Sequence, residues 1–75
     1  MITGKLYTYP KFRNIWNDPH HASMDRISFI EENEPFIFLE MVTKPSYESY
    51  KVLNSQGFVG WIHIGEPDLI TEVTS

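Results

Sequence analysis

The sequence contains no cysteine. Disulfide staples, thiolate metal sites and cysteine nucleophiles are thereby excluded, and packing alone must hold the fold in either redox compartment. Cations are scarce: six Lys and Arg against ten Asp and Glu give a formal net charge of −4. Those six are scattered and form no basic stripe able to track phosphates, which argues against a nucleic-acid partner. Long apolar runs are missing too. The longest, Phe36-Ile37-Phe38-Leu39, is far short of the roughly 20 residues that cross a bilayer, and residues 1–5 carry no apolar signal core. The expectation is a protein with no membrane partner, cytoplasmic or virion-associated and not secreted through a recognisable signal.

What is present is aromatic and β-branched. Apolar residues make up 41 % and aromatic residues 15 % of 75 positions, too rich a composition for a disordered segment. At this length a chain buries only about 60 % of its extended surface, so residues 1–75 are expected to form one domain. Pro10, Pro19, Pro35, Pro45 and Pro67 interrupt every window in which a 3.6-residue apolar repeat would build a long helix. The stretches between them suit half-buried strands, and strands are expected over 6–9, 27–30, 36–42, 50–54, 58–63 and, more weakly patterned, 69–73. Asn54-Ser55-Gln56-Gly57 is a hairpin turn, because glycine tolerates the positive φ that closes it. Residues 11–25 show no sustained alternation and read as one long loop.

Many short strands at close spacing suggest an all-β barrel, closed or partly open, of five or six strands with a long first loop. The order of motifs resembles a Src-homology-3 domain. Leu6-Tyr7-Thr8-Tyr9 is similar to that family's opening Ala-Leu-Tyr-Asp-Tyr motif, and residues 27–40 resemble its diverging turn and following strand. Ser49-Tyr50-Lys51-Val52 matches the strand with the paired tryptophans, Asn54-Ser55-Gln56-Gly57 the distal hairpin, and Gly60-Trp61-Ile62 the Gly-aromatic-aliphatic signature. The departures fall in the ligand groove. Ser49 stands where the first tryptophan of the pair walls the groove, and His63 stands at the position of the family's groove proline. A polyproline helix needs stacked aromatic walls, so the resemblance implies the fold and not that ligand. Bacterial relatives of the family bind cell-wall peptide, and the Gly-aromatic-aliphatic hairpin keeps that alternative open.

Side chains that carry chemistry are few. His20-His21, with Asp18 and Asp25 near, invites a metal, but adjacent residues point apart and no spacing converges three ligands. Glu31, Glu32 and Glu34 lack the alternation and glycine of a calcium loop and read as a solvated turn. No nucleophile elbow or oxyanion turn occurs. The expectation is a non-enzyme without cofactor or metal.

The aromatic residues point elsewhere. Tyr7 and Tyr9, two apart, share one face of a strand and offer an aromatic platform, unless they pack beneath the loop. Trp16, within the loop, is its anchor or a binding hot spot. Residues 36–42 are apolar on both faces: Phe36, Phe38 and Val42 on one, Ile37, Leu39 and Met41 on the other. Whichever face lines the core, the other needs a cover, from the loop or from another chain. The expected function is a protein–protein interaction module, an accessory or structural subunit of a larger assembly of phage or bacterial kind. Its contact residues would be Tyr7, Tyr9, Trp16, Phe36, Phe38, Trp61 and His63, and its partner another protein chain or a second copy. The alternatives are a cell-wall-peptide module and a small regulator or inhibitor seated on an enzyme.

Overall fold

The computed structural model describes residues 1–19, 25–43, 45 and 48–74. Within them the chain is all-β. Strands β1 (Leu6–Thr8), β2 (Arg13–Trp16), β3 (Arg26–Ile30), β4 (Phe36–Thr43), β5 (Glu48–Leu53), β6 (Val59–Ile64) and β7 (Thr71–Glu72) form one antiparallel sheet, and a single 3-10 turn, Pro67–Leu69, precedes β7. The spatial order is β3-β2-β6-β5-β4-β1-β7. Five of the expected strands recur with ends shifted by one or two residues. The sixth, expected over 69–73, shortens to Thr71–Glu72 because Pro67 starts a 3-10 turn that takes in Leu69.

One expectation is corrected outright. Residues 11–25 are not a structureless loop, since Arg13–Trp16 form β2, which pairs with β3 along its length and meets β6 at Trp16 and Trp61. Only Ile15 of its four residues is fully buried. A four-residue strand shows a single inward position, too few to produce visible alternation.

β2 lies close over β6 because Gly60 has no side chain. A Cβ there would collide with Ile15 Cγ2 and would stand 2.7 Å from the Trp16 carbonyl oxygen. Gly57, at φ +87°, closes the β5–β6 hairpin in the left-handed conformation expected of it.

The core fills with alternate residues of β1 to β6: Tyr7, Ile15, Ile30, Phe36, Phe38, Tyr50, Val52, Ile62 and Ile64, joined by Tyr9 just beyond β1. The Phe38 ring meets Tyr7 and Tyr50 edge-on, with centroids 6.4 and 6.0 Å away, the tilted geometry that the ring quadrupoles favour. In β4 the register slips between Phe38 and Glu40. The slip decides which apolar face is the core. Phe36 and Phe38 point inward, but past the bulge Met41 lies opposite inward-facing Tyr50, and Val42 lies opposite Ser49 on the outer face. Simple alternation would have put Val42 with Phe36 and Phe38.

Asn54 ties the hairpin to the edge strand. Its side chain is buried; Nδ2 donates to Ser28 Oγ and the Phe29 carbonyl, both at 3.1 Å, and Oδ1 accepts from the backbone N–H groups of Gln56 and Phe58. Every hydrogen-bonding position of the amide is used, and the bond to Phe29 covers part of the edge that β3 would otherwise leave open.

Candidate functional site

Of the seven residues expected at a contact surface, the structure divides four from three. Tyr7, Tyr9, Phe36 and Phe38 are core, each no more than 6 % exposed. The aromatic platform of Tyr7 and Tyr9 is therefore corrected: both pack inward, and their polar tips are satisfied within the chain. The Tyr7 hydroxyl accepts from the Ile2 N–H at 2.7 Å. The Arg13 guanidinium lies 5.2 Å over the Tyr9 ring, with Nη2 3.4 Å from its hydroxyl, and Nε donates to the His63 carbonyl at 3.1 Å. This half-buried arginine is a strut between β2 and β6.

Trp16, Trp61 and His63 share the opposite, outer face. In β5, Tyr50 and Val52 face inward, so Ser49, Lys51 and Leu53 face outward, and the register carries that parity across the sheet. Three cross-strand rows result. The first is Leu6, Ile37, Leu53 and Val59, one from each of β1, β4, β5 and β6. The second is Glu40, Lys51, Trp61 and Trp16. The third is Val42, Ser49 and His63.

The first row has no charge. Leu6 and Val59 at its ends are 42 % and 43 % exposed, and Ile37 and Leu53 between them are half-buried. Directly opposed side chains on neighbouring strands lie about 5 Å apart, so these four make a continuous apolar strip rather than isolated surface residues. The second row is amphipathic: two half-buried indoles border Lys51 and the exposed Glu40. Of this face, the sequence points to Trp16, Trp61 and His63 as contact residues and to Ile37 and Val42 as apolar positions on opposite faces of one strand; it gives Leu6, Leu53 and Val59 no contact role. Each is the single aliphatic residue that its strand turns outward, and only the register joins them.

The third row is covered. Ser49 is fully buried although it faces out. Its hydroxyl donates to the Pro19 carbonyl at 2.9 Å and stands 2.9 Å from His63 Nδ1, so Pro19 lies over this end of the sheet.

Two titratable groups elsewhere are held off their ordinary behaviour. Burial alone would raise Glu34, but hydrogen bonds from the Ser55 hydroxyl at 2.6 Å and the Glu31 N–H at 3.0 Å outweigh it and hold the carboxyl below the usual carboxylate range. Burial pushes the Tyr50 phenol far up, and its hydrogen bond to the Glu48 carboxylate adds in the same direction. Neither lies on the outer apolar face. A smaller exposed group sits at the β3 edge, where Phe12 stacks on Phe29 at 5.5 Å and Arg26 lies 5.4 Å from the same ring.

Among the described residues no three His, Asp or Glu side chains converge as metal ligands, no enclosed pocket is formed, and no helix is long and apolar enough to cross a membrane. The His20-His21 pair lies outside the described residues. No protein-family model, curated protein or solved structure matches this chain.

Proposed function

We propose that this chain is a non-enzymatic interaction module that docks another protein chain on the outer face of β1, β4, β5 and β6. The observation that carries the reading is the uncharged row Leu6, Ile37, Leu53 and Val59, bordered by Trp61 and Trp16. A contiguous apolar strip rimmed by aromatic and charged residues is what protein interfaces select, with indoles at their energetic centres. Contact residues are then Leu6, Ile37, Leu53, Val59, Trp61 and Trp16, with His63 at the border. A Src-homology-3-like barrel is the fold this proposal adopts. It is supported by the chain order of opening strand, long ribboned segment, turn at 31–35, three-strand meander and closing 3-10 turn. The accessory role in a phage or bacterial assembly follows from the same idea, since a small domain with one docking face has its use as part of something larger.

The test is Leu53→Glu. The substituted side chain points outward, so circular dichroism and thermal midpoint should stay close to wild type. Light scattering coupled to size exclusion should show wild-type self-association lost in the variant, or, for a different partner, crosslinking should trap one defined protein that the variant no longer captures. A wild type that stays monomeric at high concentration, and crosslinks identically to the variant, would overturn the proposal. Retention on purified peptidoglycan that depends on Trp61 and not on Leu53 would instead favour the cell-wall-peptide alternative.

A further inference from the structure

Ser49 is the one fully buried residue whose side chain faces away from the core in β5, and it is held by a carbonyl thirty positions earlier in the chain. Its hydroxyl has one proton and two neighbours. The Pro19 carbonyl only accepts, and at 2.9 Å it takes that proton. The second neighbour, His63 Nδ1 at 2.9 Å, must then be the donor to the hydroxyl's lone pair. Were Nδ1 the acceptor, the hydroxyl proton would turn to it, and two oxygen lone pairs would face each other at 2.9 Å in a dry site.

We propose that Ser49, His63 and the Pro19 carbonyl form a directional clasp, His63 Nδ1–H to Ser49 Oγ–H to Pro19 O, which holds the strap of residues 17–19 down on the outer face of β5 and β6 and locks His63 in its Nδ1–H tautomer. The parts are fixed independently. Ser49 and His63 are in register on adjacent strands, the Arg13 guanidinium holds the His63 carbonyl from the other side, and the Asn17 N–H, two residues before Pro19, bonds the Asp25 carbonyl at 3.0 Å. The clasp sets the border of the docking face, because Pro19 lies against Ser49 in the third row while the first row stays uncovered. It does not depend on docking, since it exists in the free chain.

The test compares two replacements of His63 by an amide. Asparagine places an N–H donor near the Nδ1 position, whereas glutamine places its amide near Nε2. His63→Asn should keep the strap closed; His63→Gln and Ser49→Ala should release it, raising the exchange rate of the Asn17 amide by about fivefold, the value of one lost hydrogen bond near 1 kcal/mol. The Val52 amide in the core serves as control for general destabilisation. On the wild type, long-range proton–nitrogen correlation at a pH where the imidazole is neutral should show Nδ1 protonated and Nε2 bare. A wild-type Nε2–H tautomer overturns the clasp, as does a His63→Asn variant that releases the strap as fully as His63→Gln. These readouts are made on the free monomer, so their failure is distinct from a failure of the docking proposal, which is read by association alone.

Discussion

Gly60 shows how much a single position decides. The sequence marks Gly60 only as part of the Gly-aromatic-aliphatic motif and does not say that it needs to lack a side chain, yet a Cβ at Gly65 meets open space, while at Gly60 it meets Ile15 and the backbone of Trp16. A side chain can swing aside, but the Trp16 carbonyl oxygen cannot move without lifting β2 from β6. Gly60→Ala should therefore cost about 3 kcal/mol, the upper end of overpacking penalties, and lower the thermal midpoint by roughly 15 °C in a domain of this size. Gly65→Ala, measured in the same calorimeter, should change little; equal effects at the two positions would refute the close-approach argument. Tyr7 and Tyr9 are the converse case. Their shared face was legible from spacing two, but a face does not say whether it looks in or out, and both rings went to the core.

Single elements carry the next lessons. β2 was invisible because its partner, not its own pattern, makes it a strand; four residues with one buried position pair with β3 only after the chain has turned back. The turn between β3 and β4 is pinned from outside as well, since Glu34 accepts from Ser55 in the β5–β6 hairpin. That bond has a pH signature. With the folded carboxyl held below its unfolded value, this contribution to stability is complete above about pH 4.5 and is lost as pH falls through the folded value. Thermal midpoints recorded from pH 6 to pH 3 should fall less steeply for Glu34→Gln than for wild type. A variant that tracks the wild-type slope throughout would show that the bond does not form in solution. The β4 bulge belongs to this scale too: seven nearly unbroken apolar residues fit either register, and the slip between Phe38 and Glu40 lets one strand serve the core with Phe36 and Phe38 and the outer face with Ile37 and Val42.

For the molecule as a whole, stability is concentrated in the middle of the sheet. β4, β5 and β6 pair over six residues at each seam, with one bulge in the β4–β5 ladder, whereas β7 contributes two exposed residues at an edge. Native-state hydrogen exchange should be slowest for the amides of β5, flanked on both sides, and fastest for β7, because local opening costs least where few apolar contacts and few ladder bonds must break. Greater protection in β7 than in β5 would mean that the edge, not the centre, is the last part to open. The same arrangement makes the outer row a rigid platform: Ile37, Leu53 and Val59 ride on the three most strongly paired strands, so a partner docking there meets a surface already ordered, with little left to lose in entropy.

Composition, proline spacing and β-branched stretches were sufficient to determine that this protein is all-β, to locate most of its strands and to mark the Asn54–Gly57 turn, because those properties act on neighbours along the chain. Which apolar side chains became core and which became surface was decided only in three dimensions. Pairing register joined Leu6, Ile37, Leu53 and Val59 into one strip, a bulge chose the inward face of β4, and Pro19 reached Ser49 across thirty residues. Such contacts depend on where the sheet bends and on which strands lie side by side, and neither is written in the pattern of any one segment.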